Sequence, residues 1–88
     1  MSCDQPLTPV TDQEKLAKAL GQRLRYLRAQ TGLTQVELGR RAGMARTYIS
    51  RLERGRILPR FFALVRIAES LGVDITELVR SAPRLPRG

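Results

Sequence analysis

The chain has 88 residues, a formal net charge of +8 at neutral pH and a sequence pI of about 11.3, which is typical of a single small domain with an anionic partner. The charge is concentrated in residues 21–66, which hold eleven arginines but only two acidic residues, Glu37 and Glu53. Because there is no histidine and only one cysteine, Cys3, the composition excludes an intramolecular disulfide and a histidine-activated nucleophile.

The two ends of the chain show no pattern of regular structure. Residues 1–10 contain two prolines and no apolar period, and residues 81–88 contain two prolines and two arginines. We therefore expect a disordered N-terminal arm over residues 1–10 and a flexible C-terminal tail over residues 81–88. The folded domain is predicted to span residues 11–80.

The first predicted helix begins after Thr11 and ends near Gln30. Thr11 and Glu14 have the spacing of a capping box, in which each side chain bonds to the backbone N–H of the other residue. Gly32 follows as a helix terminator. A glycine inside the helix, Gly21, predicts a close approach by another helix. The inward stripe is formed by Leu16, Leu20, Leu24 and Leu27.

Two short helices separated by one tight turn are predicted next. Thr34 and Glu37 form a second capping box, and Gly43 ends the helix that they begin. Another helix begins near Ala45 or Arg46 and is ended by Gly55. Because the turn is so short, the helices must cross steeply, and the second helix can present one face to a partner. That face holds Arg46, Thr47, Ser50, Arg51 and Arg54.

The remaining sequence predicts two further helices and no sheet. Pro59 suits the first position of a helix that ends at Gly72. Asp74 caps a last short helix whose core residue is Leu78. No segment alternates with period two, and no paired apolar runs flank a hairpin turn. The fold class is therefore predicted to be all-α, a compact five-helix bundle.

These features resemble the helix-turn-helix of the phage-repressor (Cro and XRE-type) family over roughly residues 16–79. The matching residues are Gly32-Leu33-Thr34-Gln35, Glu37-Leu38, Ala42-Gly43, Tyr48-Ile49-Ser50, Leu52-Glu53-Arg54-Gly55, Pro59, Leu64, Ile67-Ala68 and Leu71-Gly72-Val73. The start of the second short helix also resembles that of restriction–modification controller proteins. The resemblance implies a lambda-repressor-like DNA-binding domain.

Candidate DNA contacts follow from the residue types and from this resemblance. Arginine pairs with guanine and the threonine methyl packs on thymine, so we assign base contacts to Arg46, Thr47, Ser50 and Arg51, although Arg51 fits a phosphate equally well. Backbone contacts are assigned to Gln35, Tyr48, Arg54, Arg56 and Arg60, although Tyr48 also suits an inward position. The resemblance further implies a structural ion pair between Arg28 and Glu53.

Two residues depart from the family pattern. Ala45 occupies the position of a helix-capping residue, so the start of the recognition helix is predicted to fray without DNA. Gly39 replaces a commoner alanine at the contact between the two short helices. A glycine still allows close approach there, so the departure does not affect the predicted fold.

The leading functional hypothesis is a sequence-specific double-stranded DNA-binding transcriptional regulator, a repressor or autoregulator, in the cytoplasm. We expect a homodimer on a palindromic operator with half-sites about 34 Å apart. The dimer contacts are assigned to Phe62, Val65, Ile75 and Val79. The alternative is a protein-interaction module on the same fold, such as an antitoxin or a coactivator.

The sequence lacks the residues that other kinds of function need. No metal-ligand cluster, nucleotide-binding loop or nucleophile with an adjacent base is found, so we expect no enzyme activity, cofactor, metal or small-molecule ligand. No apolar run approaches the length of a membrane span.

Overall fold

Five helices and no strand make up residues 11–80, the part of the chain that this computed structural model describes. The helices are α1 (Asp12–Thr31), α2 (Gln35–Ala42), α3 (Arg46–Glu53), α4 (Phe61–Leu71) and α5 (Ile75–Val79). The predicted all-α, five-helix architecture is confirmed. The predicted N-terminal arm and C-terminal tail lie outside the described residues.

The predicted capping boxes fix the starts of α1 and α2. The Thr11 hydroxyl accepts from the Glu14 amide at 3.1 Å, and the Thr34 hydroxyl accepts from the Glu37 amide at 3.0 Å. In each box the glutamate accepts in return from the threonine amide at 2.9 Å. These hydrogen bonds from Thr34 lower the pKa of Glu37, because they favour the charged carboxylate.

The helix ends also follow the sequence, with one exception. Gly43 has the left-handed φ of 72° that closes α2 and allows the turn into α3. The prediction that Pro59 is the first residue of α4 is wrong. Arg60 is the N-cap, with an extended ψ of 162°, so the helix begins only at Phe61. Pro59 therefore lies in the loop, where it stiffens the approach to the helix.

The core is one cluster of side chains from all five helices. Ile49 of α3 is completely buried, as is Leu38 of α2. The other buried apolar residues of this cluster are Leu24, Leu27, Ala42, Leu52, Ile67, Ala68, Leu71 and Leu78. Leu16 of the predicted stripe is only half-buried, since it lies near the N-terminal end of α1. Packing of these side chains therefore determines how α2 and α3 cross.

A glycine lets α1 and α3 pack with their backbones in contact. A Cβ on Gly21 would lie 2.8 Å from the carbonyl oxygen of Glu53 and closer still to that of Leu52. Gly39 has the same role inside the helix-turn-helix, because a Cβ there would lie 2.5 Å from the carbonyl oxygen of Met44. The close approach predicted at Gly21 is confirmed.

The last helix is held against the first by an ion pair. Arg23 of α1 donates from Nη2 to Glu77 Oε1 at 3.0 Å and from Nε to the Glu77 carbonyl oxygen at 2.8 Å. Arg80 lies on the other side of the same carboxylate at 3.2 Å. Asp74 caps α5 by accepting from the Thr76 amide at 3.0 Å.

Gly21→Ala tests the α1–α3 contact. Alanine normally stabilises a helix interior relative to glycine by about 0.5–1 kcal/mol. Here the added methyl group collides with backbone, so we expect a loss of about 1–3 kcal/mol in the free energy of unfolding, measured by urea denaturation. The exposed neighbour variant Gln22→Ala should stay within about 0.5 kcal/mol of the wild type. A Gly21→Ala protein at least as stable as the wild type would contradict the contact.

Candidate nucleic-acid interface

Helix α3 buries one face and presents the other to solvent. Ile49 and Leu52 are buried in the core, and Glu53 is buried beside them. Four of the five residues predicted for the outer face are exposed, and the fifth, Ser50, is half-buried. The exposed four are Arg46, Thr47, Arg51 and Arg54. The structure therefore brings the base-contact candidates together on one surface.

The start of α3 has no side-chain cap. Ala45 is the N-cap, with an extended ψ of 149°, and its methyl group accepts no hydrogen bond. The N–H groups of a first helical turn point along the axis and favour an anion. The uncapped end of α3 therefore has backbone donors to offer a phosphate, at the same end as Arg46.

A buried carboxylate connects three helices behind this surface. Glu53 of α3 accepts from Arg28 Nε at 2.5 Å and from Arg28 Nη2 at 3.0 Å. Arg28 also donates from Nη1 to the Leu33 carbonyl oxygen at 2.8 Å. The Glu53 side chain is only 3% exposed and that of Arg28 is 16% exposed. The hydrogen bond to Glu53 raises the pKa of Arg28.

Gln35 joins this ion pair, an arrangement that the sequence did not predict. Its Nε2 donates to Glu53 Oε1 at 3.0 Å, and its Oε1 accepts from Arg46 Nη1 at 3.5 Å. An amide group has two N–H donors, so one remains for a phosphate. The residue spacing within α2 does not predict the hydrogen bond from Gln35 to Glu53, because this bond depends on how α2 and α3 cross.

The residues predicted to contact the DNA backbone differ in solvent exposure. Tyr48 is half-buried and packs against the core cluster, so its ring is held by the protein. Arg54, Arg56 and Arg60 are exposed around the loop that follows α3. Arg54 Nε also donates to the Ser50 carbonyl oxygen, at 3.4 Å. The guanidinium group of Arg54 therefore lies beside the outer face of α3.

The four residues predicted to form the dimer interface do not all line one groove. Phe62 is 79% exposed, and it lines a groove beside α4 together with Val65. Val79 of α5 is 38% exposed, whereas Ile75 packs partly against the core cluster. Neither α5 residue lines the groove.

Residues 11–80 contain neither a metal-binding cluster nor a membrane-spanning helix. No group of three or more histidine, cysteine, aspartate or glutamate residues within this range is arranged to hold a metal ion. None of its helices combines the length and the apolar character of a membrane span.

Known proteins are similar to this chain in sequence and in fold. A family model for a helix-turn-helix domain matches residues 19–80. An HTH-type transcriptional regulator of Sinorhizobium fredii is 40% identical over 73 residues, which cover 83% of this chain and 95% of that protein.

Two solved structures superpose closely on the chain. The restriction–modification controller protein C.AhdI of Aeromonas hydrophila has a TM-score of 0.69 at 34% identity, covering 70% of this chain and 94% of its own. The P22 c2 repressor, solved in complex with a synthetic operator, has a TM-score of 0.66 at 26% identity, with the same two coverages of 70% and 94%.

Arg28→Ala tests whether the buried ion pair is structural. Removing the arginine leaves the Glu53 carboxylate buried with its main partner gone, so we expect a loss of about 3–5 kcal/mol in the free energy of unfolding. Thermal and urea melts measure it. In the double variant Arg28→Met/Glu53→Gln no unpaired charge is left, so it should be more stable than the single variant.

The matched control is Arg25→Ala, which removes an exposed arginine from the same helix and should change stability by less than about 0.5 kcal/mol. An Arg28→Ala protein that melts like the wild type but no longer binds DNA would assign Arg28 to the DNA and refute a structural role.

Proposed function

Because this chain belongs to the helix-turn-helix family of DNA-binding transcriptional regulators, we propose that it binds a palindromic operator as a homodimer and represses or autoregulates transcription. The observation that carries the proposal is the outer face of α3. It is exposed and rich in arginine, and the buried Arg28–Glu53–Gln35 network lies directly behind it. A helix presented in this way enters the major groove with its N-terminal residues against the bases.

We assign base recognition to the first two turns of α3. Arg46 is exposed at the first position of the helix, where a guanidinium can donate to guanine O6 and N7 together. Thr47 follows it, and its methyl group can pack on a thymine methyl. Ser50 and Arg51 lie one turn later on the same face. In the free protein, the hydrogen bond from Arg46 Nη1 to Gln35 Oε1, at 3.5 Å, holds the guanidinium near the start of α2.

The phosphate contacts are assigned to the rim of this surface. Gln35 is the first residue of α2, where free backbone N–H groups favour an anion, and its amide keeps one N–H to donate. The half-buried Tyr48 ring lies beside the exposed arginines of the following loop. The proposed set is Gln35, Tyr48, Arg54, Arg56 and Arg60. Such contacts position the protein on the duplex without reading its sequence.

We propose that two copies pair through α5. A single small module buries roughly 600–1,000 Å² on DNA, too little to select one operator in a genome. Asp74 and Glu77 reduce the positive charge at this end, so two copies can approach. Val79 offers exposed apolar surface, and Ile75 adds a partly exposed side chain. Phe62 and Val65 are less suitable for pairing, because arginines rim their groove.

Arg46→Ala and Arg56→Ala distinguish base reading from phosphate binding. Arg46→Ala should weaken binding to the preferred site by about 1–3 kcal/mol and relax the preference at one base position in each half-site. Arg56→Ala should weaken binding to all duplexes about equally and reduce the salt slope by about one. Both are measured by fluorescence anisotropy over a set of single-base variants of the site and a range of salt concentrations. If Arg56→Ala altered base preference while Arg46→Ala did not, the docking orientation would be wrong.

Val79→Asp tests the proposed pairing surface. An aspartate there places two like charges across the axis, so the variant should fold normally but remain a monomer and bind a palindromic duplex much more weakly. Sedimentation velocity with and without duplex measures the assembly. Val36→Asp, at another exposed apolar position, is the control for oligomeric state and should sediment like the wild type. A wild-type complex with one protomer per duplex at saturation would exclude the dimer.

A further inference from the structure

An apolar groove runs beside the exposed side of α4. It lies between the start of α3, the loop after α3 and the first turns of α4, and it has a volume of about 870 Å³. Its apolar lining includes Met44, Tyr48, Ile57, Leu58, Phe62 and Val65. We call it the α4 groove.

Two apolar residues of the α4 groove are exposed without contributing to the core, although Met44, Tyr48 and Ile57 pack against the core cluster. Phe62 is 79% exposed and Leu58 is 38% exposed, and neither belongs to the buried cluster that closes the five helices. Phe61 stands beside Phe62, with the two rings edge to face and their centroids 6.1 Å apart. Contiguous exposed apolar surface of this kind marks an interaction site in small soluble proteins.

The edge of the groove is positively charged. Arg60 and Arg66 line it, and Glu69 is the acidic residue among the lining side chains. Within residues 11–80, the arginines that form ion pairs are Arg23, Arg28 and Arg80, so the guanidinium groups of Arg60 and Arg66 remain available to a partner from solution.

We propose that the α4 groove binds an acidic, amphipathic helical segment of another protein. The apolar lining can hold side chains at positions i, i+3, i+4 and i+7 of such a helix, and Arg60 and Arg66 can donate hydrogen bonds to its carboxylates. A second copy of this chain fits less well, because it carries a charge of +8 and would bring the same two arginines against each other. Charge complementarity therefore selects an acidic partner.

An occupant of the groove competes with DNA. Tyr48 and Arg60 line the groove, and both are among the proposed phosphate contacts. A bound acidic helix would cover these groups and place its carboxylates beside the path of the DNA backbone. The partner therefore releases the protein from its operator. This step rests on the proposed function, whereas the docking itself does not.

A designed peptide tests the docking. The probe is a fluorescein-labelled helix of about twelve residues with leucine at the four groove-facing positions and glutamate at the solvent-facing positions. Two controls are a scrambled peptide of the same composition, which keeps the charge but not the apolar stripe, and a peptide with lysine in place of glutamate. Binding to the full chain is followed by anisotropy. We expect the amphipathic acidic peptide to bind at least about tenfold more tightly than either control.

Substitutions in the chain locate the binding. Phe62→Ser and Arg66→Gln should each weaken peptide binding about tenfold or more, since the first removes an apolar contact of the groove and the second removes a guanidinium at its edge. The matched controls are Val36→Ser, an exposed apolar residue elsewhere, and Arg25→Gln, an exposed arginine on α1; both should bind the peptide like the wild type. Melting curves verify that each variant is folded.

The outcomes separate the docking from its regulatory consequence. Equal binding of the acidic and scrambled peptides, or equal losses for all four variants, would show non-specific charge attraction and overturn the proposal. A Phe62→Ser protein that changes from dimer to monomer in sedimentation would assign the groove to a second copy and overturn it as well. If the peptide binds but does not displace a labelled duplex, the docking proposal is supported. The proposed competition between peptide and DNA, and the phosphate contacts proposed for Tyr48 and Arg60, would then be wrong.

Discussion

The buried carboxylate of Glu53 is the constraint on which the recognition surface depends. It is located at the C-terminal end of α3, and its hydrogen bonds reach Arg28 of α1 and Gln35 of α2. An unpaired charge at this depth would be strongly destabilising, so the three helices keep the positions in which the bonds form. Gln35 in turn contacts Arg46 at the other end of α3. The side chain proposed to read a base is thus connected to the most buried charge of the domain.

Glycine geometry and apolar packing supply the rest of the framework. Gly21 lets the backbones of α1 and α3 touch, and Gly39 and Gly43 allow the tight turn between α2 and α3. Ile49 and Leu38 fix the crossing from inside the core. The start of α3 has no side-chain cap, and it lies where the proposed DNA contacts are made.

Much of this fold can be read from the sequence, because local rules determine it. The capping boxes at Thr11 and Thr34 and the left-handed Gly43 mark helix ends through hydrogen bonds between residues three or four positions apart. Contacts between helices are less accessible. The hydrogen bond between Gln35 and Glu53 joins residues 18 positions apart and exists only after the helices have packed. The sequence does not reveal that Pro59 lies in the loop, because the fixed φ of proline suits a helix start and a loop equally well.

The distribution of exposed groups divides the surface into three parts. The outer face of α3 and its loop carry the arginines proposed to contact DNA, and the α5 end carries less positive charge and is proposed for pairing. The α4 groove combines exposed aromatic surface with Arg60 and Arg66. Because the groove shares Tyr48 and Arg60 with the proposed DNA surface, a partner bound there changes DNA binding directly, without a change in the fold.

Selection of bound sequences from a random pool of DNA duplexes tests the central claim most directly. The wild-type chain should enrich a palindromic sequence whose half-sites are centred about 34 Å apart, one turn of the double helix. The position in each half-site whose preference disappears in the Arg46→Ala protein should be a guanine. Enrichment of no sequence, or of a single half-site without symmetry, would contradict it.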